Sequence, residues 1–233
     1  WEPARRIRER VTKAAGKHVQ FRGYCPYQTG KWNALGDIHQ SWANDLGNAA
    51  RNVFMACGNM MDAATRDNNS HWDDASARRI YLRIAFTMAK HAWQQGWTGA
   101  DLSDLPSRGP RMVSATRSGN SVTVTVEHDK GTALVAGADG TDWGAFLTWG
   151  SDGGDLAGTG GAILSANTFR VDFAATPATG ETISYCYYPR YYGRTLLRDN
   201  WHTMVPAKYA GVPNVGLVDF PLRRNTSNGI AYT

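Results

Sequence analysis

Asp67-Asn68-Asn69-Ser70-His71-Trp72-Asp73-Asp74 is a polar run set between two apolar patterns of different period. Before it, Asn52-Val53-Phe54-Met55-Ala56-Cys57 reads as a short buried strand, which Gly58 ends. After it, Ala77, Ile80, Ile84, Ala85, Met88 and Ala92 recur at helical spacing, with Arg78, Arg79, Arg83 and Lys90 off that face. Asp73 or Asp74 is placed to cap this helix, and Gly96 to close it. A buried strand, a polar loop and a capped helix make the repeating unit of α/β sheets. In such sheets the loops at the carboxyl ends of the strands carry the chemistry.

Toward the start of the chain the same alternation continues. Ala4, Ile7, Val11 and Ala14 predict a helix closed by Gly16. His18-Val19-Gln20-Phe21-Arg22-Gly23-Tyr24 alternates as a strand does. After a Pro/Gly/Asn loop, Asp37 caps a helix with an apolar stripe at Ile38, Trp42, Leu46 and Ala49/Ala50. The predicted fold class is therefore α/β: the second part of a parallel sheet with helices on both faces, in a partial three-layer α/β/α arrangement. Two strands cannot satisfy each other's buried backbone groups alone. This predicts that another polypeptide segment or chain carries the N-terminal half of the sheet.

Toward the end of the chain the period changes. Leu102 to Pro110, with Pro106 and Pro110, reads as a linker. Beyond it, Ser121-Val122-Thr123-Val124-Thr125-Val126 alternates strictly, and strand-like runs recur at Thr132–Val135, Phe146–Trp149, Thr168–Phe173 and Thr182–Tyr188. Short strands separated by turns predict a β-sandwich-like domain. The division expected is 1–106 for the α/β part, 107–190 for the β-rich accessory domain, and 191–233 for an irregular tail that packs back on the assembly. The glycine-rich run Gly150–Gly161 reads as a flexible hairpin loop; Asp152 and Asp155 alone fall short of a calcium site.

The composition bounds the function. The chain has 233 residues, 42% hydrophobic and 19% charged, with a net charge of +5. That is a globular balance with enough apolar material for a core. Arg5, Arg6, Arg8, Arg10 and Lys13 share one predicted helix with Glu2 and Glu9, the pattern of a solvated face. No zinc finger, RRM signature or long basic stripe points to nucleic acid. Cys25, Cys57 and Cys186 are widely spaced, as expected of buried thiols in a reducing compartment rather than a disulfide framework. No apolar run approaches about 18 residues, so no membrane-spanning helix is expected. A start at Trp1 fits a cleaved chain or a portion of a longer one.

His71 with a nearby carboxylate, on a loop between a buried strand and a capped helix, suits general-base chemistry. The imidazole takes the proton from a hydroxyl nucleophile while the carboxylate orients it. The same local pattern also describes a surface histidine beside capping aspartates. Trp143, Trp149, Tyr185, Tyr187, Tyr188, Tyr191 and Tyr192 are candidates either for stacking on sugar rings or for core packing.

The run Val53-Phe54, Asp67, His71-Trp72, Ala75 and Tyr81-Leu82-Arg83-Ile84-Ala85 resembles the last conserved block of the SGNH (GDSL-like) hydrolases. The closest subgroup is similar to the sialate O-acetylesterase-like carbohydrate esterases. The resemblance implies a flavodoxin-like sheet whose N-terminal half lies outside this chain. It also implies His71 as the base and Asp67 as its acid. The family spacing would place the acid at Asn68, one residue later, and no Gly-Asp-Ser nucleophile block is present. What it implies is a carbohydrate esterase component that removes O-acyl groups, acetyls first among them, from a polysaccharide with a serine borrowed from a missing segment or partner chain. No cofactor and no metal is implied, and a homo-oligomer is left open. The alternative is a non-catalytic structural or glycan-binding part of a phage virion appendage such as a tail fibre or spike.

Overall fold

The computed structural model describes residues 62–67, 71–96, 98–137, 139–149, 156–186, 195–212, 219–223 and 229–233. The expected strands at 18–24 and 52–57, and the helices at 4–14 and 38–50, lie outside these residues.

Two short strands, β1 (Thr65–Asp67) and β2 (His71–Trp72), lead into a single long helix, α1 (Asp74–Gln94). Then come β3 (Arg111–Ser118), β4 (Ser121–Glu127), β5 (Leu134–Val135), β6 (Phe146–Trp149), β7 (Leu156–Ile163), β8 (Thr168–Phe173), β9 (Thr182–Tyr185), β10 (Arg198–Asp199) and β11 (Ile230–Ala231).

Seven of these strands form one sheet in the order β11-β9-β6-β7-β8-β4-β3. Every ladder in it is antiparallel. An odd number of strands that alternate in direction leaves the two outermost strands parallel. The edges meet in that sense: Ala115 of β3 bridges Tyr232 in parallel, Arg117 N–H donates to Thr233 O at 2.8 Å, and Thr233 N–H donates to Ala115 O at 3.3 Å. The sheet thereby becomes a nearly closed barrel. Its interior follows from the alternation in the sequence. Val122, Val124 and Val126 of β4 and Phe169, Val171 and Phe173 of β8 all point inward and are buried, beside Phe146, Ile183 and Tyr185. Full burial of each such side chain contributes about 1.5–3 kcal/mol.

This corrects the expected fold class. Among the described residues there is no three-layer α/β/α arrangement and no flavodoxin-like parallel sheet. The polar stretch before α1 pairs with itself as the antiparallel β1–β2 hairpin. Nor is the β-rich part a sandwich of two facing sheets, because residues 230–233 join both β9 and β3 and curl one sheet closed.

Glycine-rich β7 differs from the loop expected there. A Cβ on Gly161 would lie 2.6 Å from the Trp143 ring, and one on Gly158 would lie 2.8 Å from Val171 Cγ1. Strand glycines here mark a close approach, letting the indole lie directly on the sheet.

Among the described residues, the aromatic partners of α1 lie outside the barrel. Phe86 on α1 meets Trp201 edge-on with centroids 5.8 Å apart, and Phe220 face-to-face at 6.4 Å. Leu105 and Tyr209 complete this second core, outside the barrel.

Candidate functional site

Asp67 and His71 are brought together by the backbone. They are Cα partners across the β1–β2 pair, Thr65 pairs with Trp72, and the register shifts between Thr65 and Asp67. Asn68, Asn69 and Ser70, which link the strands, lie outside the described residues.

Both legs of the hairpin are fastened to the first turns of α1. Asp73 is extended (ψ 163°) and caps the helix, its Oδ1 accepting from Ser76 N at 2.7 Å. That bond holds the Asp73 carboxyl below its ordinary value. Asp73 is thereby a structural cap. Ser76 Oγ accepts from Ala64 N at 2.8 Å, and Asp73 N donates to Ala64 O at 3.0 Å. The hairpin's base is thus closed by three bonds involving the cap.

Below the hairpin is a buried ion network that the sequence pattern did not indicate. Arg83 is fully buried. Its guanidinium donates to both Asp62 oxygens at 2.7 and 2.5 Å, to Asp219 Oδ1 at 2.6 Å and, through Nε, to Asp219 O at 2.6 Å. Asp219 also pairs with Arg198, and Arg79 approaches Asp62 Oδ2 at 3.5 Å. Burial alone would raise the Asp62 carboxyl, but the Arg83 charge and hydrogen bonds, with Arg79 behind them, hold it below its ordinary value. The network joins the segment entering the hairpin, α1, β10 and the segment after residue 218.

Arg83 was expected off the apolar face. The face that α1 buries runs through Ser76, Ile80, Arg83, Phe86, Thr87 and Lys90. Met88 is 47% exposed and Tyr81 is 62% exposed. The helix is rotated from the purely apolar stripe because Asp62 and Asp219 supply the partners that let an arginine face inward. The spacing of Ile80, Arg83, Phe86 or Thr87, and Lys90 is the one signal for it in the sequence. It becomes readable only once the distant carboxylates are known.

Two of the candidate sugar-stacking aromatics are core residues. Tyr185 is fully buried, its ring 4.3 Å from that of Phe146, and its Oη accepts from Leu197 N at 3.2 Å. Trp143 lies 5.9 Å from the Phe146 ring and is partly buried. Tyr187, Tyr188, Tyr191, Tyr192, Asp152 and Asp155 lie outside the described residues. Among the described residues, no group of three or more His, Cys, Asp or Glu could hold a metal ion. None of the described helices is long and apolar enough to cross a membrane.

No family model and no curated protein matches the chain. Among solved structures it is similar to a carbohydrate acetylesterase from Xanthomonas citri, at 14% identity with a TM-score of 0.44. That match covers 83% of this chain and 35% of the esterase. It is also similar to the N-terminal part of the bacterial S-layer protein SbsC, at 14% identity with a TM-score of 0.30, over 67% of this chain and 28% of that one. The chain therefore spans about a third of the length of the structures it matches. Likeness at this level does not assign an activity.

Proposed function

We propose that this chain is a component of a carbohydrate ester hydrolase in which His71 is the general base and Asp67 its carboxylate partner. The nucleophilic serine would come from another polypeptide segment or chain. The observation that carries this reading is the register of the hairpin, in which Asp67 and His71 are direct cross-strand partners. Opposed residues in an antiparallel pair have Cα atoms about 4.5–5.5 Å apart, within reach of an imidazole–carboxylate hydrogen bond. The cap at Asp73 and the network at Arg83 hold that hairpin on a rigid base, as a positioned proton acceptor requires.

In this reading the serine oxygen attacks the acyl carbon while its proton passes to His71. The imidazolium then protonates the departing sugar oxygen, and Asp67 stabilises the imidazolium. Water, deprotonated by His71, releases the acid from the acyl-enzyme and restores the serine.

The test is acetate release from an O-acetylated polysaccharide by the native polypeptide or assembly that contains this chain. His71→Ala is expected to lower kcat by about 10⁴-fold or more, and Asp67→Asn by about 10⁴-fold. Unchanged acetate release from the His71→Ala protein would overturn the reading.

A further inference from the structure

Lys90 lies on the buried face of α1, one turn before the end of the helix. Its side chain is only 10% exposed, and among the described residues its Nζ has a single acceptor, Asp129 Oδ1 at 3.4 Å. Asp129, two residues beyond β4, has an equally buried side chain. A closed ammonium–carboxylate bond measures about 2.7–2.9 Å. Here the amine stands further off, at contact distance from the carboxyl group. Burial lowers the Lys90 ammonium below its ordinary value, against the pull of the Asp129 charge, and so eases the release of a proton.

The second carboxylate oxygen lies in a cradle of donors. Asp129 Oδ2 accepts from Ser107 N at 2.5 Å, from Ser107 Oγ at 3.0 Å and from Arg108 N at 3.0 Å. Two consecutive backbone N–H groups and a hydroxyl on one oxygen are the donor set of an oxyanion hole. The cradle is fastened to the helix that carries the amine, because Thr87 Oγ1 donates to Ser107 O. The carboxyl group is thus held with Oδ1 toward the amine and Oδ2 toward the donors. In a carboxylate the negative charge is shared by both oxygens. When an amine adds to Cγ, the charge gathers on Oδ2, where the donors already point, so they favour the tetrahedral state over the ground state.

We propose that Lys90 and Asp129 condense to an intramolecular amide, a covalent tie between α1 and the turn after β4. An Nζ proton passes directly to Oδ1, leaving a neutral amine beside a carboxylic acid. The Nζ lone pair adds to Cγ, and Oδ2 takes the negative charge inside the cradle. A second Nζ proton passes to Oδ1, the Cγ–Oδ1 bond breaks and water leaves as the Cγ–Oδ2 double bond re-forms. One N–C bond is gained and one C–O bond is lost. The ammonium and carboxylate become an amide and one water, with no oxidant or further reactant. Folding holds the two groups together, which supplies the effective concentration that condensation needs in water. The product replaces a buried ion pair by a neutral group that is easier to bury. The tie is independent of the ester hydrolase reading.

The experiment is an intact-mass measurement of the purified full chain under denaturing conditions, followed by peptide mapping. The expected mass falls short of that of the sequence by one water. A proteolytic digest should yield a branched peptide that joins the segment around Lys90 to the segment around Asp129. Lys90→Arg and Asp129→Ala should each restore the full sequence mass. A native chain at the full sequence mass overturns the proposal. So does a water loss that survives in Lys90→Arg, or one that maps to an Asp-Gly step such as Asp139-Gly140, where a succinimide loses the same mass. The branched peptide is read from the native chain, so the result stands even where a variant does not fold.

Discussion

Arg83 sits at the centre of the molecule's largest electrostatic commitment among the described residues. Removing one partner of a buried ion pair costs about 3–5 kcal/mol, because the remaining charge is left uncompensated. Arg83→Met should therefore lower stability at pH 7 by about that amount, since Asp62 keeps only Arg79 at 3.5 Å. The pH dependence should reverse. In the native protein the Asp62 carboxyl lies below its ordinary value, so its contribution is present above about pH 4 and lost on acidification through its folded value. Without Arg83, burial dominates, the carboxyl rises above its ordinary value, and the variant should gain relative stability as the pH falls. Urea midpoints at pH 7 and pH 4 measure both effects, and an unchanged midpoint at pH 7 would contradict the network's role. None of this was legible in the sequence. Arg83 and Asp219 are 136 residues apart, and nothing local to either records the other.

At the scale of elements, the helix cap is the contact most directly tied to the hairpin. Asp73→Ala removes the acceptor for Ser76 N, which should cost about 1 kcal/mol of unfolding free energy. Asp73→Asn, which keeps the acceptor oxygen, should recover most of it; equal losses in both variants would argue against the cap. Elements with a clean local period were legible. Val122, Val124 and Val126, and Phe169, Val171 and Phe173, announce β4 and β8, and Gly96 closes α1 with a φ of +67°. Strand β7 was hidden because its signal is the absence of side chains. Glycines chosen for close approach to Trp143 have the same composition as a flexible turn. The inward face of α1 was hidden because its buried surface includes charges whose partners lie on other elements. At the candidate site, the hairpin that pairs Asp67 with His71 was not legible, since strands of two and three residues carry no periodicity.

At the scale of the whole molecule, the α/β expectation failed because it required parallel partners for strands that lie outside the described residues, while the described strands pair antiparallel. The barrel was not legible because closure depends on residues 230–233 meeting β3, a pairing with no sequence signature. Its removal is a direct test. Ending the chain after Arg223 should expose the edges of both β9 and β3, and unpaired edges associate. Self-association on size-exclusion chromatography and loss of the cooperative thermal transition are expected; a monomer with an unchanged melting curve would show that the closing strand is dispensable.

The parallel seam between Ala115 and Tyr232 also sets a schedule for synthesis. Translation at about 5–20 residues per second makes Tyr232 roughly 6–24 s after Ala115. Throughout that interval β3 has β4 on one side and nothing from its eventual closing partner on the other. The strand carries its own safeguards for the wait: Arg111 and Arg117 place charge on it, and the register shift between Met112 and Ser114 interrupts the regular ladder against β4. These are the devices that keep an edge from recruiting neighbouring nascent chains. Replacing both arginines with valine would be felt first as a lower soluble yield during expression, well before any change in the finished barrel.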